Sequence, residues 1–147
     1  MPTTQGVTRE ALARLERVIE GAGAIDWRAT SLEGSGPAEA ALRHGDGADG
    51  GEIVELLRAY QRLLRVLPAG EEARALPMLG AGLHSAVQIA GLPKHEFARR
   101  WAGLFPGAAA LGEAVHRSAV ARRSHLVLHR INAVQCNEPH YRAARFR

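Results

Sequence analysis

Apolar residues recur along this chain at helical spacing, three and four apart, and nowhere alternate over a run long enough for a strand. Leu12, Leu15, Val18 and Ile19 mark one face of a segment that Thr8 can cap and that Gly21 and Gly23 can end, which predicts a helix over about 9–21. The clearest pattern is EIVELLRAYQRLLRVL, residues 52–67. Ile53, Leu56, Leu57, Tyr60, Leu63, Leu64 and Leu67 form a broad stripe there, Arg58, Arg62 and Arg65 lie off it, and Pro68 is the stop. Between these two helices, AIDWRATSLEG is mixed, with Trp27 and Leu32 as anchors for a loop. SGPAEAALRH reads as a short helix with Pro37 at its first position, and GDGADGG at 45–51 as a turn or mobile loop.

The second half is punctuated more closely. EEARALPMLGAG predicts a helix over roughly 70–80, in which Pro77 is either a kink or the end of a late first turn. Gly82 suits the left-handed position after that helix, Ser85 caps a short helix AVQIA, Gly91 ends it, and Pro93 opens the next, which runs to about 105. After PGA the longest helix runs from about 108 to 136. On it Val120, Val127, Ile131 and Val134 lie within roughly 60° at 100° per residue, a packing seam. Leu111, Val115 and Leu126 lie on the other side, so cover on two faces is expected. Pro139 prevents continuation, leaving a basic, aromatic tail over 138–147. These elements add up to one all-α domain spanning 1–147. It is an irregular bundle of six to seven helices without a sheet, built around the 52–67 and 108–136 helices.

Composition agrees with that class. At 147 residues the chain is one domain in size, 46% hydrophobic and only 5% aromatic, so its core is expected to be Leu, Ala and Val. Charge is uneven: residues 1–70 hold eight arginines against ten acidic residues, whereas 71–147 hold eleven basic residues against five acidic ones. A basic second half can serve as a solvated surface or can meet nucleic acid, an acidic partner or lipid. Only Lys94 is a lysine, and arginine makes forked contacts that lysine cannot. The start, MPTTQGVTRE, lacks the features of a signal peptide, so synthesis in the cytoplasm is expected, with any export occurring as part of an assembly. No apolar run approaches a membrane span.

Candidate chemistry is sparse. There is no GxSxG, P-loop, GxGxxG after a strand or HExxH, and no carboxylate pair stands out. No catalytic residue and no cofactor is expected. His44, His84, His95 and His116 are isolated in sequence and read as surface or loop residues. His125 and His129 are an i, i+4 pair on one helix face and are the candidate metal ligands. Cys136 shares that face but lies about 10 Å from His129 along a straight helix, too far for one ion, and otherwise reads as a small buried hydrophobe. The glycine corner of GLHSAVQIAGLPKHEF, residues 82–97, can be compared with a phosphate-gripping hairpin, but it lacks the tight glycine–small–glycine turn of one. Arg99, Arg100, Arg122, Arg123 and Arg130 are the candidate interaction residues. Their convergence on one face would mark a nucleic-acid surface.

Several motifs occur in a fixed order: LLRVL at 63–67, then Leu79-x-x-Gly82-x-x-Ser85-Ala86-x-x-Ile89-Ala90-x-x-Pro93-x-x-x-Phe97, then Val115-His116-Arg117-Ser118-Ala119. Over roughly residues 20–145 this resembles the helical region in the A subunits of insecticidal toxin complexes, shared with the plasmid virulence protein A family. Those relatives are much longer chains, and the pore and receptor-binding parts have no counterpart here. The resemblance implies a helical, non-enzymatic building block of a toxin-like or injection-type assembly, acting as adaptor, cargo or shell piece through a protein partner or self-association. The alternatives left open by the residues are a nucleic-acid-binding helical domain and a helical metal protein.

Overall fold

A computed structural model describes residues 7–23, 25–32 and 50–137. Among the described residues six α-helices follow one another: α1 (Arg9–Gly21), α2 (Gly50–Leu64), α3 (Ala75–Gly80), α4 (Ala86–Ala90), α5 (Lys94–Arg100) and α6 (Ala109–Asn137). Short 3-10 turns at Glu72–Arg74 and Ala102–Leu104 lead into and out of the middle group, and the described residues contain no strand. The all-α expectation holds. The short helix expected at 35–44, most of the glycine-rich loop and the basic tail lie outside the described residues. Gly50 and Gly51, expected in the loop, already belong to α2.

Local signals act where the sequence puts them. Thr8 Oγ1 accepts from the Ala11 N–H at 3.2 Å, capping α1. Pro77 is the third residue of α3, where its missing N–H removes no intrahelical bond, so the helix is not kinked there. α3 ends in a Schellman arrangement. Gly82 has φ +93°, its N–H reaches Leu79 O at 3.1 Å, and the Leu83 N–H reaches Met78 O at 3.0 Å. Ser85 Oγ then accepts from the Gln88 N–H, while the Gln88 side chain accepts from the His84 N–H and donates to Gly82 O. The turn at 82–88 is therefore held largely by its own groups.

Leu15, Leu57, Leu63, Met78, Leu79, Leu83, Ile89, Phe97 and Val115 are almost fully buried and form one core. α1, α2 and α3 pack together on one side, and α4 and α5 lie against the first half of α6 on the other. Between α1 and α2 the loop is fastened by buried Gln61, whose Nε2 donates to Trp27 O at 2.8 Å and Thr30 O at 2.7 Å. Much of the arginine content has a structural role. Arg28 donates to Leu64 O and Leu67 O at the end of α2, Arg62 to His84 O, Arg74 to Leu104 O and Arg123 to Ala90 O. Each fork satisfies carbonyls that a helix end or turn would otherwise leave without a partner.

Candidate interaction surface

The long helix α6 has two unlike halves. Over its first turns Gly112, Val115, His116 and Ala119 are buried. Gly112 lets the Phe105 ring approach: a Cβ there would meet Phe105 Cδ2 at 3.3 Å. His116, expected at the surface, is 7% exposed; its Nε2 lies 2.7 Å from Leu92 O, which fixes that nitrogen as the donor. Its ring packs against Phe97, with centroids 5.6 Å apart. From Ser124 to Asn137 every residue is exposed. That stretch of fourteen residues is about 21 Å long. It holds Leu126, Val127, Leu128, Ile131 and Val134, each between 45% and 59% exposed.

The expectation of cover on two faces is therefore corrected. Val115 is buried and Leu111 and Val120 are half-buried, but Leu126, Val127, Ile131 and Val134 are not covered by any described residue. The exposed seam is also not a simple extension of the buried stripe. At 100° per residue, the direction of Val120, Val127, Ile131 and Val134 is rotated by about 80° from that of Gly112, Val115, His116 and Ala119.

The candidate residues do not converge. Arg99 and Arg100 sit at the end of α5, with Arg100 over the Trp101 ring at 5.4 Å. Arg123 is tied to Ala90 O at 3.2 Å, closing the C-terminus of α4. Arg122 is half-buried, and Arg130 stands exposed on the free half, about 10 Å along the axis from Arg123. His125 and His129 are both exposed, and among the described residues no group of three or more His, Cys, Asp or Glu side chains is placed to hold a metal ion. Cys136, expected to be buried, is exposed. It lies on the side of α6 opposite the aliphatic seam, as His125 and His129 do.

Described residues line two clefts beside α2. One, of about 760 Å³, lies between the start of α1 and α2 and is lined by Thr8, Glu52, Glu55, Leu56, Arg62 and His84. Burial, and then the Arg62 charge, lower the His84 pKa. The other, of about 250 Å³, is lined by Ile19, Trp27, Arg28, Tyr60, Leu64 and Glu72 among others. Burial and the Glu72 charge push the Tyr60 hydroxyl up, and backbone N–H groups, chiefly those of Glu72 and Gly70, hold Glu72 low. Both shifts move away from neutral pH, the reverse of what proton transfer asks of an acid–base pair. The buried indole N–H of Trp27 has no hydrogen-bond partner.

No protein-family model matches the chain, and no curated protein or solved structure matches it. Among the described residues no helix is long and apolar enough to cross a membrane.

The exposed seam had a signal in the sequence, since Val127, Ile131 and Val134 share one narrow sector with Val120, which packs partly against the core. What sequence reasoning missed was that this sector faces solvent. The shift of the apolar direction along the helix was the available clue.

Proposed function

We propose that this protein is a non-enzymatic helical interaction module, in which the bundle anchors α6 and offers its second half to a protein partner. The observation that carries this reading is the row Val127, Ile131 and Val134 on one sector of α6, each about half exposed, with Leu126 and Leu128 exposed to either side of it. Monomeric surfaces do carry scattered apolar residues, but a contiguous aliphatic patch on a projecting helix is the usual mark of an interface. The ordered motifs over 63–119, which resemble the helical region of toxin-complex A subunits, support an assembly as its setting. The split of the arginines between helix capping and separate surfaces weighs against nucleic acid as the partner.

The test pairs Val127→Asp with Ile131→Asp in one variant. Both positions are exposed, so the thermal unfolding of the isolated domain should stay within a few degrees of wild type. Wild-type protein should associate, with itself or with a captured partner, and the variant should lose that association. A wild-type protein that is strictly monomeric by light scattering and retains nothing from its own lysate would refute the reading.

A further inference from the structure

Resting on that reading, we infer that the free half of α6 docks an amphipathic helix of another protein carrying acidic residues beside its apolar seam, and not a second copy of this chain. Three features of α6 specify this occupant. The first is spacing. Ser124, Val127, Ile131 and Val134 follow one another at steps of three, four and three residues, the a/d rhythm of a helix–helix seam, continuing from Val120, which packs partly against the domain's own core. Ser124, the polar member, donates its hydroxyl to Val120 O at 3.0 Å, so it enters the seam already satisfied.

The second feature is the width and setting of the seam. It is a narrow sector of about 80°, matched to the groove of one facing helix rather than to a flat lipid surface. Arg130 projects beside it, between Leu126 and Val127 on the helix wheel, where a membrane-lying helix would need an apolar residue. No aromatic residue occurs between Pro106 and Asn137 to sit at a lipid interface.

The third is charge. From Ala114 to Asn137 the helix carries Arg117, Arg122, Arg123 and Arg130 and no Asp or Glu. In heptad register Arg123 and Arg130 occupy the flanking g positions, while the e positions hold Leu128 and Gln135. An antiparallel second copy would set these arginines against their own equivalents. A parallel copy would leave them facing leucine and glutamine, with no pair formed. A partner with Glu or Asp at its flanks pairs with Arg130 directly and gains from the uncompensated field of the others. His125, His129 and Cys136 lie on the opposite side of the helix and stay outside the contact.

The test uses the whole chain and two labelled three-heptad peptides. Both have Ile and Leu at a and d; one has Glu at e and g, the other Lys. Fluorescence anisotropy at low salt reads binding, and light scattering reads the mass of the chain alone. Vesicles of phosphatidylcholine and phosphatidylserine serve as the lipid arm. The inference expects the Glu peptide to bind and the Lys peptide not to, with Ile131→Asp abolishing binding and Arg130→Glu weakening it about fivefold. The thermal midpoint of each variant, held near wild type, shows that the fold survives. Equal binding of both peptides overturns the inference, as does seam-dependent binding to the vesicles. A dimer of the chain that Ile131→Asp dissolves overturns it in favour of a second copy, while leaving the seam as an interaction surface. A monomer that binds neither peptide overturns this inference, and with no capture from lysate it overturns the underlying reading too.

Discussion

Removing the same two methyl groups at two points on α6 should give two different answers. Val115 is fully buried against the core, whereas Val127, more than three turns further on, is 51% exposed. In Val115→Ala the lost transfer free energy is about 1.6 kcal/mol, at about 0.8 kcal/mol for each buried CH₂-sized group. The residual cavity raises the cost to about 2–3 kcal/mol. The better helix propensity of alanine returns about 0.5 kcal/mol, leaving a net loss of roughly 1.5–2.5 kcal/mol. In Val127→Ala little burial is lost and the propensity gain remains, so stability should change by less than about 0.5 kcal/mol. Urea unfolding followed by far-ultraviolet circular dichroism, at protein concentrations too low for association, separates the two. With a urea slope of about 1–3 kcal/mol per molar, the first midpoint should fall by about 1 M and the second should stay in place. A loss above about 1 kcal/mol at Val127 would mean that the second half of α6 is packed against the fold, and the argument for a free docking face would fail.

Other consequences are as direct. Gly82→Ala places a Cβ at φ +93° with no neighbour within 4 Å, so its cost is backbone strain alone. About 1–2 kcal/mol is expected, lowering the thermal midpoint by several degrees. His116→Phe keeps a ring beside Phe97 but removes the donor to Leu92 O; a loss of about 1–3 kcal/mol is expected by chemical denaturation, as for a buried carbonyl left without a partner. The folded state holds the His84 pKa below its ordinary value, so the unfolded chain takes up more protons as the pH falls through about 6.5. Stability should therefore be fully present above that pH and decline below it, and the decline should be shallower in His84→Asn, read from midpoints across a pH series.

The punctuation of the fold was legible because each signal acts within a few residues. Thr8, Ser85, Gly82 and Pro93 need only their neighbours to cap, end or start a helix, and each does so at the expected place. The stripe on α2 was legible for a similar reason: a wide aliphatic face has to be buried somewhere. Long-range partners were not legible. His116 looked like an isolated surface histidine because the carbonyl that it meets belongs to Leu92, twenty-four residues earlier, and the ring beside it to Phe97. Arg123 looked like a free interaction residue because its acceptor, Ala90 O, becomes a neighbour only once α4 lies on α6. Cys136 was expected to be buried by residue type, but it falls on the exposed half of the helix.

The same distinction explains why α6 misled a reading of its faces. A helix that uses one stripe along its whole length concentrates its apolar residues in one direction. α6 uses two in succession, about 80° apart, so no single stripe describes the helix as a unit. Taken alone, each half is clearly sided: the first toward Phe97, Phe105 and the α4–α5 pair, the second toward solvent. A helix whose apolar direction turns at the point where it leaves its own core has two partners to satisfy. The domain supplies the first. The 4–3 spacing and the uncompensated arginines describe the second, which is why the charge of the facing helix, and not merely its hydrophobicity, is the property to measure.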